Sequence, residues 1–199
     1  MNAQSYALIS IFAALAIILN VIRVPAVYWP GIFYTFCDIP VLVAFLIYGF
    51  KIGFMVEVIH TLGQEIFFPA GPGGIVFYLM GFFIHLFMFS GIYLASKFMN
   101  RKNASIAGFS EKKRTIYFTA FAATFRGGLM PIIDYAVLYN ILLPLVLGIT
   151  IPETYIVALV PTFVFFNISS TFYAVPIAYF IARKTSKYLR IKAKFLIQS

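Results

Sequence analysis

Charge is what this chain has least of: Asp, Glu, Lys and Arg make up 11% of its 199 residues, against about 25% in an ordinary soluble domain. With 62% hydrophobic residues and a mean hydropathy of +0.96, a soluble globular protein is excluded and an integral membrane protein is expected. Cysteine is nearly absent as well. Cys37 alone excludes an intramolecular disulfide and a multi-cysteine metal centre. No GxxxxGK[ST] run occurs, so the chain does not hydrolyse nucleotide by that phosphate-cradling device. Neither HExxH nor GxSxG is present, and the two histidines, His60 and His85, fall in separate apolar segments. Metal-assisted or nucleophilic hydrolysis has no material here, and an enzyme is not expected.

Acidic residues are the scarcer sign, 6 against 15 basic, for a net charge of +9. The basic residues cluster beside apolar segments, where the positive-inside rule accounts for them, so nucleic acid is not an expected partner. The N-terminus lacks a charged leader and a small-residue cleavage site, so its first apolar run reads as a retained transmembrane helix.

What is present is a succession of apolar segments, each measured against the roughly 20 residues a span requires. They predict an all-α membrane domain over residues 1–199 with six transmembrane helices, near 6–22, 39–48, 52–68, 75–95, 115–139 and 153–182. The second is short for a full crossing. The stretch 23–35 is too rich in proline and aromatic residues for a helix and reads as a re-entrant or covering loop, with Tyr28, Trp29 and Tyr34 at an interface. Residues 69–74 break the chain, 97–114 form a hydrophilic linker, and 142–151 read as an apolar loop. Pro161 and Pro176 should kink the last span. Lys51, the linker and the basic tail 183–199 fall on one side and Arg23 alone on the other, which puts both termini in the cytoplasm. Alternating basic and apolar residues over 186–197 suit either an interfacial helix on anionic lipid or a solvated tail.

Polar groups inside spans are expensive and face a cavity or one another. Asp38-Ile39-Pro40 has the form of a capped helix start. Glu57, His60, Thr61 and Gln64 share one helical face, and Glu57 with His60 suits either a structural pair or ligand and proton handling. Arg126 and Asp134 fall roughly on one face of the fifth span, either as a salt bridge or with Asp134 free for ligand. His85, among phenylalanines, reads as a packing histidine. Asn167 and Ser170, one turn apart, are either interhelical glue or ligand contacts. Trp29, Tyr34, Phe77, Tyr78, Tyr135 and Tyr139 are positioned to wall a pocket for a flat ligand. Ser10 and Ala14, four apart on the first helix, form a small-residue face.

The hairpin from Cys37-Asp38-Ile39-Pro40-Val41-Leu42 through Tyr48-Gly49-Phe50-Lys51-Ile52-Gly53 resembles the Ser-Asp-Ile-Pro-Ala-Leu and Gly-Pro-x-x-Gly pattern of the substrate-binding S components of energy-coupling factor (ECF) vitamin transporters, the riboflavin group most of all. Glu57, His60, Thr61 and Gln64 are similar to that group's Glu-x-x-Lys-Asn-x-x-His stretch; Gly73-Gly74 to Gly81 to its fourth-helix entry; Asp134-Tyr135 with Leu143-Pro144, and Pro161 with Phe166-Asn167, to its later segments. The resemblance implies a six-helix S-component bundle in the cell membrane that captures a water-soluble vitamin at the outer face. It implies docking through Ser10 and Ala14 on a transmembrane coupling subunit and two ATPase subunits, with ATP used by those partners and no resident cofactor. The ligand residues expected are Asp38, Phe77, Tyr78, Asp134, Tyr135, Asn167 and Ser170. Where the family has Asn, Asn and Lys, this chain has Asp134, Asn167 and Ser170, which alters the ring edges that can be paired. The rival reading is a stand-alone secondary transporter moving protons through Glu57, His60, Arg126 and Asp134.

Overall fold

The computed structural model describes residues 3–28, 33–69, 71, 74–102, 110–191 and 193–196. Trp29, Gly73 and residues 103–109 of the expected linker lie outside the described residues. The helices are α1 (Ala3–Leu19), α2 (Asp38–Tyr48), α3 (Phe50–Phe67), α4 (Gly74–Lys102), α5 (Glu111–Ile133) and α6 (Glu153–Leu189), with a short hairpin of β1 (Arg23–Pro25) and β2 (Phe33–Thr35) between α1 and α2. Among the described residues three stretches are long and apolar enough to cross a membrane: Gly74–Met99, Glu111–Leu147 and Glu153–Leu189. A backbone in hydrocarbon must satisfy its own polar groups, and helices do this within one segment.

Helix α2 is the axle. Its 11 residues extend about 16 Å, half of a bilayer core, and every residue from Asp38 to Ile47 is buried. It is therefore enclosed by protein rather than by lipid, with α1, α3, α4 and α6 packed around it. Gly49 ends it at φ +88° and ψ −175°, a conformation essentially restricted to glycine. The chain then reverses directly into α3. Helices α4, α5 and α6 pack side by side. Gly91 lets α4 approach α5 so closely that a Cβ there would sit 2.6 Å from the Phe121 carbonyl oxygen.

Two expectations are corrected. The apolar run after α5 does not open into a loop at residue 142: it continues as a π-helical segment, Asp134–Leu147, through Pro144 and stops at Gly148 in the left-handed region. The physical reason is again backbone satisfaction, since a wider helical ladder keeps carbonyls bonded where a loop in an apolar setting would not. The tail is the second. Beyond Leu189 the described residues leave the helix and pack against α2: Lys194 N–H donates to the Ile47 carbonyl at 3.0 Å and Phe195 N–H to Leu46 at 3.2 Å, closing carbonyls that a helix C-terminus leaves open. Ala193 and Leu196 are buried and the Phe195 ring stacks on Phe45, which stacks on Phe89, with centroids 4.7 and 4.3 Å apart. Helix α6 runs unbroken through Pro161 and Pro176.

The hairpin realises the covering loop. Arg23 pairs with Thr35, Val24 with Tyr34 and Pro25 with Phe33. It is fastened to α6 by a 2.7 Å hydrogen bond between the Tyr34 and Ser169 hydroxyls and by Tyr173 Oη donating to the Thr35 carbonyl at 2.6 Å.

Candidate functional site

Beneath the hairpin lies a polar cavity of about 150 Å³, lined from α2 by Asp38, from α3 by Glu57, His60, Thr61 and Gln64, from α4 by Tyr78 and His85, from α5 by Arg126, and from α6 by Phe166, Ser170 and Tyr173; Phe33 and Thr35 of the hairpin close it. The side chains reach it because α2 begins here. Cys37 at its N-cap makes no side-chain capping bond, and the Asp38 carboxylate, expected as a cap, turns to Arg126 instead.

Arg126 Nη1 donates to Asp38 Oδ2 at 2.7 Å, and its Nε donates to Asn167 Oδ1 at 3.0 Å. Asn167 in turn donates its amide to the Phe163 carbonyl at 2.9 Å, which fixes the oxygen toward Arg126. Glu57 is held from three sides: His60 Nδ1 at 3.0 Å from Oε2, Thr61 donating to Oε1 at 3.0 Å, and His85 Nδ1 at 3.1 Å from Oε1. The Nδ1 of His60 faces a carboxylate and so donates, leaving Nε2 to accept from the Gln64 amide. His85 bridges the two acids, its Nε2 3.2 Å from Asp38 Oδ1 and its Nδ1 also 3.1 Å from the Gly81 carbonyl. Both its nitrogens face acceptors, a setting that suits the doubly protonated ring. The Nε2 contact is a charge contact of poor hydrogen-bond angle, since that nitrogen has no aligned acceptor. Two carboxylates, a guanidinium and a bridging imidazole thus balance one another, as buried charges must.

Of the residues singled out in the sequence, Asp38, Glu57, His60, Thr61, Gln64, Tyr78, Arg126 and Ser170 line the cavity. Asn167 stands one layer behind and positions Arg126. Asp134 is buried at the start of the π-helical segment but outside the lining, and Arg126 bonds Asp38 rather than Asp134. Phe77 is exposed, and Tyr135 donates to Glu153 Oε1 at 2.7 Å at the protein surface; neither lines the cavity. Ser10 and Ala14 are exposed on α1, while Ala13 and Ala16 face inward. The reading of His85 as a packing histidine is corrected, since it lines the cavity and bridges Asp38 and Glu57; Tyr173 and Thr35 were passed over. For His85 the signal was available: an ionisable ring in a span calls for a partner. Tyr173 follows Ser170 by three residues and so shares its face.

A family profile described as "ECF transporter, substrate-specific component" matches residues 4–187. The chain belongs to that family. ECF S components are substrate-binding subunits of transporters, not enzymes, and work with a membrane T component and ATPase subunits, so the stand-alone carrier reading is set aside. Among solved structures, the S component of a bacterial ECF transporter superposes with a TM-score of 0.66 at 21% identity, over 94% of this chain and 98% of that one. At that identity the likeness shows the S-component fold. No curated protein matches the chain.

Proposed function

We propose that this S component captures a flat, polar vitamin heterocycle in the cavity beneath the hairpin and delivers it inward when the ATP-driven partners reorient it. The observation that carries the reading is the cavity itself, lined by aromatic rings and by fixed donors and acceptors. Arg126 Nε and Nη1 are held by protein, which fixes the guanidinium in the cavity lining as a donor to a ring carbonyl or nitrogen. Phe166 and Tyr173 offer faces on which a ring can lie. A volume of about 150 Å³ matches the size of an engineered cavity that holds one benzene, so a single ring fits as the site stands. Riboflavin, to which the hairpin motif points, carries a three-ring head and fits only with the hairpin raised.

All six helices are embedded in the cell membrane in this reading, with both termini cytoplasmic. In support, Arg183 bonds Glu111 and the Lys194 side chain lies on Gly49, so the basic ends of α3, α5, α6 and the tail gather opposite the hairpin, as the positive-inside rule requires. Ser10 and Ala14 present the small-residue face for the T component.

The test is to purify the protein from vitamin-replete cells, identify the molecule released on denaturation, and measure thermal shifts with a vitamin panel. A bound flat heterocycle whose retention falls at least tenfold in Arg126→Met is the expected result. An empty protein that no vitamin stabilises would overturn it.

A further inference from the structure

At the end of the molecule away from the cavity, α5 begins beside the place where α6 ends, and between them runs a groove of about 400 Å³. Its character changes along its length. One end carries Glu111, Lys112 and Arg183; the other is floored by Ile116, Pro176 and Phe180. Ile116 is 65% and Phe180 58% exposed, and the helical rise from Pro176 to Arg183 separates the two ends by about 10 Å. Glu111 and Arg183 bond each other across the charged end, while Lys112 is exposed and Lys184 rides over the Phe180 ring at 5.5 Å. Lys112 and Arg183 face one acid in the lining, so the charged end has a positive surplus.

We propose that this groove binds an anionic phospholipid, its phosphate on Lys112 and Arg183 and an acyl chain along Ile116, Pro176 and Phe180. The polarity of the groove is that of the ligand. The charged end lies where α5 enters and α6 leaves their apolar stretches, and the floor descends along both membrane-length helices. A free anion has no use for that floor, and a zwitterionic lipid no use for the charge surplus. Basic pockets between membrane helices recognise anionic headgroups in this way. The Glu111–Arg183 bond is at the surface and worth little, so Arg183 can share its donors with a phosphate while Glu111 keeps lipid phosphate from saturating the pair.

The experiment uses the full chain in nanodiscs of phosphatidylcholine with increasing phosphatidylglycerol, read by native mass spectrometry for retained lipid and by thermal shift. The wild type should retain phosphatidylglycerol over phosphatidylcholine at equal mole fraction. Each of Lys112→Gln and Arg183→Gln should cut that preference roughly fivefold, and the pair roughly thirtyfold. Ile116→Trp, which fills the floor and keeps the charges, should cut it as well, whereas the pair Lys51→Gln/Lys97→Gln, neither of which lines the groove, should not. Equal losses in that pair would show bulk charge attraction and overturn the site. Stabilisation by inorganic phosphate alone, unaffected by Ile116→Trp, would overturn the lipid.

Discussion

The two ends of α2 are buried alike and held in opposite ways. At Asp38 the helix meets Arg126 at 2.7 Å and His85 at 3.2 Å, directional contacts arranged around open space. At Leu46 and Ile47 it meets the tail backbone and the Phe195–Phe45–Phe89 stack, contacts that leave no space. The first end is organised so that something can enter and the second so that nothing moves. One helix thus carries both a binding site and its foundation.

Substitutions at each end can break that comparison. The largest effect is expected at Arg126: Arg126→Met strands the Asp38 carboxylate and should destabilise the protein by about 3–5 kcal/mol, measured by unfolding in mixed micelles. Adding Asp38→Leu should restore most of that stability while ligand binding stays absent. If binding returned with stability, the charged end would be foundation too. At the other end, Gly49→Ala forces a Cβ into a glycine-only conformation and against the Lys194 side chain, for a loss of about 2 kcal/mol. Phe195→Ala removes one ring of the stack and should cost about 1.5 kcal/mol. In both, affinity measured by titration with the released ligand should stay within twofold; a larger change would mean that the packed end transmits to the cavity.

The contrast also explains what could be read in advance. Membrane class, the short α2 and the turn at Gly49 were legible because hydropathy, length and glycine act locally. The polar face Glu57, His60, Thr61 and Gln64 was legible because helical spacing alone assembles it. Arg126 with Asp38 was not, for the partners are far apart in sequence and only the packing of both α5 and α2 on α6 joins them; the nearer Asp134 was the deceptive candidate. His85 looked solitary for the same reason, its partners lying on α2 and α3. The tail was misread because alternating basic and apolar residues suit a membrane surface and a buried edge equally well, and only the open carbonyls of α2 decide between them.

Those carbonyls also set an order of events. The ribosome makes α2 early, and Lys194 and Phe195 follow only after roughly ten to thirty seconds of further synthesis. Until then Leu46 and Ile47 have no such partners, and the Phe45–Phe89 stack lacks its third ring. The central helix is therefore sealed last, by the segment that follows α6, and the bundle must assemble around an α2 whose final carbonyls are still open.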